Sequence, residues 1–87
     1  MVVVRWNPIK SKWLQFTRGA SFEDLIEQGK PLGAWDHPMR VHQRMMFFEY
    51  QGYVWAVPYV ITSEGVFLKT LYPSRKFTKL HRKGRLT

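Results

Sequence analysis

The sequence predicts an α+β domain, with amino-terminal helices packed on one face of an antiparallel β-sheet and a short basic helix or tail at the carboxyl end. Up to Gly29 the apolar residues recur at helical spacing, in two stretches that each begin with a capping residue and end at a glycine. From Val41 onward the pattern changes to long β-branched and aromatic runs divided by turn residues. The chain has 87 residues, of which 45% are hydrophobic, enough for one domain and too few for two.

Taken in order, Val2 to Trp6 reads as a short strand. Asn7-Pro8 is a helix start, because Asn can cap and the missing N–H of Pro costs nothing in the first turn. Ile9, Trp13 and Phe16 follow at spacings of four and three and are expected to form the buried stripe of this helix, which stops at Gly19. Ser21 with Asp24 forms a capping box for a second helix, with Phe22, Leu25 and Ile26 facing inward and Gly29 at its end. Lys30 to Pro38 is expected to be a loop, since Pro31, Gly33 and Pro38 interrupt regular structure. Val41 to Tyr50 and Tyr53 to Ile61 read as a hairpin across Gln51-Gly52, with Pro58 suited to an edge or a bulge. Ser63-Glu64-Gly65 makes the next turn, Val66 to Tyr72 the last strand, and Ser74 caps a basic helix to about His81. Residues 82–87 are expected to be a frayed tail.

Charge gives the first functional direction. Fourteen Lys and Arg stand against six Asp and Glu, a formal net charge of +8. After Glu64 the chain carries Lys69, Arg75, Lys76, Lys79, Arg82, Lys83 and Arg85 and no acid. Such a block is the electrostatic footprint expected of a phosphate-backbone binder, and it also suits an acidic protein partner. There is no cysteine, which removes disulfides and thiolate metal sites. Met1-Val2-Val3-Val4-Arg5 does not read as a signal segment, so none is expected. The longest apolar run, Tyr53 to Ile61, holds Pro58 and is far short of the roughly twenty residues of a membrane helix. A cytoplasmic protein with no membrane partner is the expectation.

Trp6-Asn7-Pro8-Ile9-Lys10 and Gly19-Ala20-Ser21-Phe22-Glu23-Asp24 carry a resemblance to the BrnT-type toxins of bacterial toxin–antitoxin pairs. Those open with Trp-Asp-Pro-x-Lys and reach Gly-Val-Ser-Phe-Glu-Glu at the same distance. Tyr72-Pro73-Ser74-Arg75-Lys76 is similar to their Ile-Ser-Ala-Arg-Lys segment, so the resemblance spans nearly the whole chain. It implies a RelE-like ribonuclease fold, growth arrest through RNA cleavage that includes ribosome-associated mRNA, and a cognate DNA-binding antitoxin. The sequence departs from the family at Leu14, where the family has Asn, and at Thr17-Arg18, where it has Lys-His.

RNA cleavage without a metal requires a group to take the 2′-hydroxyl proton, cations for the charge developing on phosphorus and an acid for the leaving oxygen. Arg75 is the leading candidate for the charge, because its fork matches two phosphate oxygens and it stands in the family-like segment. His42 and His81 are the candidate imidazoles, and Tyr72 is a weaker proton donor. Lys76 and Lys79 follow Arg75, and in a helix only Lys79 shares its face. Lys69 alternates with Leu68 and is expected on the opposite sheet face, where RNA could lie. Arg18 stays protonated and so can clamp a phosphate but cannot act as a base. Arg44 shares the sheet face of His42, with Glu49 on the other face. Asp36, His37 and His42 lack a metal-ligand pattern, so neither a metal nor another cofactor is expected. Trp35, Tyr50, Tyr53, Trp55 and Tyr59 could stack with bases or simply build a small core, with Trp35 the one expected to be exposed. A ribonuclease toxin therefore ranks ahead of a non-catalytic nucleic-acid-binding module, and both ahead of a basic interaction protein for an acidic partner.

Overall fold

The structure, a computed structural model, describes residues 3–36 and 43–84. Along them the chain runs β1 (Val4–Arg5), α1 (Pro8–Arg18), α2 (Phe22–Gln28), β2 (Lys30–Asp36), β3 (Arg44–Tyr50), β4 (Tyr53–Thr62), β5 (Gly65–Leu68), β6 (Tyr72–Ser74) and α3 (Arg75–Arg82). The strands form one sheet in the order β1-β5-β4-β3-β2, with β6 also paired to β4. Every pairing is antiparallel except β1 with β5. The class is therefore α+β, as the sequence predicts.

Strand β4 organises the sheet. Its alternate residues Trp55, Val57 and Tyr59 enter one apolar cluster with Leu14 of α1 and Phe22 and Leu25 of α2. Val54 and Ala56 enter a second cluster, on the opposite face, with Met45 and Phe47 and with Phe77 and Leu80 of α3. The amino-terminal helices thus cover one face, and the basic carboxyl-terminal helix lies on the other. Gln51 and Gly52 both take positive φ (52° and 80°), the backbone of a two-residue hairpin turn whose twist matches its strands.

Several expectations need correction. Lys30–Asp36 is a strand rather than a loop. It is the sheet's edge, where Pro31 owes no ladder hydrogen bond, and a register shift between Pro31 and Gly33 absorbs the irregularity. The segment from Val66 to Tyr72 is two strands with a break. Pro58 lies at that break, neither on an edge strand nor in a bulge. Its carbonyl accepts from Lys69 N–H at 2.9 Å, so its donorless nitrogen faces the same side, between β5 and β6. Residue 82 belongs to α3 rather than to a tail, and residues 83–84 continue as a turn.

The largest correction concerns α1. Ile9, Trp13 and Phe16 are 81%, 55% and 92% exposed, and the buried residues are Ser11 and Leu14 on the opposite side. Phe22 and Leu25 of α2 already cover the sheet, so α1 is anchored by one leucine and by polar bonds. Ser11 Oγ donates to Glu23 at 2.6 Å and accepts from Phe22 N–H at 3.0 Å. Ile26, also expected inside, is 42% exposed.

The β1–β5 join depends on Gly65, at φ 127°, whose added Cβ would strike the Val3 carbonyl that accepts from Val66 N–H. Gly65→Ala is expected to cost about 2–3 kcal/mol, since it combines backbone strain with a backbone collision. Gly52→Ala, with open space around the new methyl, should cost only about 1 kcal/mol. Urea unfolding of both variants checks the difference, and equal costs would mean that β1 is not held as described.

Candidate nucleic-acid interface

Helix α3 is fixed to the sheet by a short polar chain. Ser74 Oγ accepts from Phe77 N–H at 3.2 Å and caps the helix. The Thr78 hydroxyl donates to the Ser74 carbonyl and accepts from Val54 N–H at 2.9 Å, tying the first turn to β4. Phe77 packs on Phe47, with ring centroids 4.6 Å apart. With this side held inward, helical periodicity turns Arg75, Lys79 and Arg82, at i, i+4 and i+7, to the outside. Together with Tyr53 and Thr78 they line a cleft of about 190 Å³. Tyr53 is 43% exposed and presents an aromatic ring beside the three cations.

None of Arg75, Lys76, Lys79 and Arg82 pairs with a carboxylate among the described residues. The Arg82 guanidinium donates to the Gly52 carbonyl at 3.2 Å, which holds the end of the row near the hairpin turn. Arg75 and Lys76 occupy the first turn of α3, where the helix dipole disfavours positive charge and favours an anion. Lys76 lies on the neighbouring side of the helix, its Nζ 5.8 Å from the Phe77 ring centroid.

His81 of α3 and Glu49 of β3 form a pair on the same sheet face. His81 Nε2 lies 3.1 Å from Glu49 Oε2, and both side chains remain partly exposed. Tyr72 belongs to the same sheet face, against the Met45, Phe47, Val54 and Ala56 cluster. Burial pushes its phenol above the usual value of 10.0, which weakens it as an acid, and like any phenol it is protonated at neutral pH. Lys69 follows β5 and places its Nζ 5.8 Å from the Phe67 ring centroid, on the face opposite Leu68 as the alternation predicts.

The structure therefore brings Arg75 and Lys79 into one cleft, and puts Lys69, Tyr72 and His81 on the sheet face that carries it. Arg18 is elsewhere. Its Nη1 donates to the Leu71 carbonyl at 2.6 Å and lies 3.4 Å from Thr70 Oγ1, tying α1 to the β5–β6 connection. Arg44 is at the far end of β3, 3.3 Å from Asp36. His42 lies outside the described residues. Trp35, 36% exposed, stands on β2 with its ring edge-on to Phe47 rather than in a loop. Sequence reasoning missed Arg82, although it extends the Arg75–Lys79 spacing by one more turn. It also missed the pairing of Glu49 with His81, which joins residues far apart in the chain. Among the described residues no three His, Cys, Asp or Glu side chains converge as a metal-holding group, and no helix is long and apolar enough to cross a membrane.

Comparison of the chain with protein-family models, with curated proteins and with solved structures gives no match.

Proposed function

We propose that this chain is an RNA-directed toxin domain that cleaves RNA without a metal, and that a cognate antitoxin protein holds it in check. The observation that carries the reading is the convergence of Arg75, Lys79 and Arg82, all from the acid-free stretch after Glu64, with Tyr53 on one cleft. The cations bind the phosphate backbone, and the Tyr53 ring offers a surface on which a base can stack.

In this reading His81 takes the 2′-hydroxyl proton. Glu49 orients the imidazole by accepting from Nε2–H, which leaves Nδ1 free as the base. The 2′-oxygen then attacks phosphorus, the P–O5′ bond breaks, and Arg75 offsets the charge on the phosphoryl oxygens. The Tyr72 phenol, protonated at neutral pH, supplies the proton for the departing O5′.

The test is incubation with RNA in EDTA, with and without ribosomes, using the unaltered chain, Arg75→Ala and His81→Gln. Cleavage is expected in EDTA and should fall by about 10²–10⁴-fold in His81→Gln, with an unchanged thermal midpoint. One observation favours a second reading, a nucleic-acid-binding module without catalysis. Arg18, which replaces the histidine of the toxins the sequence resembles, is engaged with Leu71 and supplies no acid–base group. Intact RNA in every lane together with salt-sensitive binding would select that reading.

A further inference from the structure

Helix α1 carries a surface that the fold itself leaves unused. Ile9, Trp13 and Phe16 form a straight ridge along its outer side, at 81%, 55% and 92% exposure. Single exposed apolar residues are ordinary, whereas three large ones in a contiguous row mark an interaction surface. At 100° per residue, Lys12 lies about 60° to one side of Ile9 and Lys10 about 100° to the other, so the ridge is flanked by cations. The helix contains no Asp or Glu.

These charges decide between occupants. A second copy of α1 would set Lys10 and Lys12 against the same lysines with no acid to offset them. An anionic bilayer draws on clusters of about four to eight cations, whereas the ridge offers Lys10 and Lys12 alone, the helix's third cation, Arg18, being turned away to the Leu71 carbonyl. A single helix has no such difficulty, because it covers only the ridge and can place its own carboxylates on the two lysines.

We infer that α1 is a docking site for an amphipathic helix of a protein partner, with an apolar stripe over Ile9, Trp13 and Phe16 and acidic flanks against Lys10 and Lys12. This rests on α1 alone and not on the RNA reading. α1 and α3 lie on opposite faces of the sheet, so the partner leaves the Arg75–Lys79–Arg82 cleft open and both ligands bind together.

The test uses the isotopically labelled full chain and two synthetic helical peptides that share one leucine stripe and differ in having Glu or Lys on its flanks. The Glu-flanked peptide should shift the amide resonances of α1, leave those of α3 unmoved and bind on the order of tenfold more tightly than the Lys-flanked one. Trp13→Gln with Phe16→Gln should weaken it by about tenfold or more. Both side chains are exposed, so the unfolding midpoint of this variant should be unchanged. Equal binding of the two peptides, or shifts away from α1, would overturn the proposal. It is likewise overturned if mixed phosphatidylcholine–phosphatidylglycerol vesicles bind α1 and the peptide does not, or if the chain self-associates through α1.

Discussion

Phe22→Ala is expected to destabilise the domain by about 3–5 kcal/mol, while Phe16→Ala should change its stability by no more than about 0.5 kcal/mol. The two residues are close in sequence and identical in chemistry, and only their burial differs, 1% exposed against 92%. Phe22 opens α2 and fills the space between that helix and the sheet, with its ring centroid 6.1 Å from that of Trp6 and its N–H bonded to Ser11. Removing the ring leaves a cavity that the capped, polar-anchored start of α2 cannot close by settling inward. A chain of 87 residues has a total stability of about 4–13 kcal/mol, so this one ring accounts for a large part of it. Urea unfolding followed by circular dichroism measures both variants. A cost above about 2 kcal/mol for Phe16→Ala would show that the α1 ridge is packed inside the domain and would remove the docking surface with it.

The same pair shows what the sequence could and could not reveal about the fold. Helical spacing shows that Ile9, Trp13 and Phe16 share a face, but it does not say which way the face points. That depends on what else competes for the sheet, and here α2 takes the place. The signals for caps and turns are local, so Asn7, Ser21, Gln51-Gly52 and Ser74 all act where the sequence puts them. Lys30–Asp36 went astray for the opposite reason. Pro and Gly argue against a strand with neighbours on both sides, and an edge strand has only one. Pro58 is the mixed case, because the missing donor is legible and its location opposite a break in the neighbouring strands is not.

For the candidate site, legibility follows sequence distance. Arg75 and Lys79 share a helix face by spacing alone, and that part could be read directly. The engagement of Arg18 with Leu71 and of His81 with Glu49 depends on contacts between elements far apart in the chain. Periodicity carries no trace of them.

The cationic row supplies the second large effect. Arg75→Ala, Lys79→Ala and Arg82→Ala combined should weaken binding to single-stranded RNA by about 100-fold at roughly 0.1 M salt. Each phosphate contact adds about 0.7 to the slope of log affinity against log salt, so losing three should flatten it by about 2. The lines for the two proteins should then approach each other near 1 M salt, where the counterion term vanishes. The slope separates this account from a structural one, because a variant that merely loosened α3 would bind less RNA without that ordered convergence. Stability gives an independent check. The inner side of α3 is held by Phe77, Leu80 and the Thr78 bonds, none of which the substitutions touch. Replacing Arg75 also removes a cation from the positive end of the helix, so the first turn loses a repulsion. Arg82→Ala gives up its exposed bond to the Gly52 carbonyl, which about offsets that gain, so binding should fall while the urea midpoint holds, the pattern of residues kept for a ligand rather than for the fold. A variant that keeps both its affinity and its salt slope would move the RNA surface away from α3.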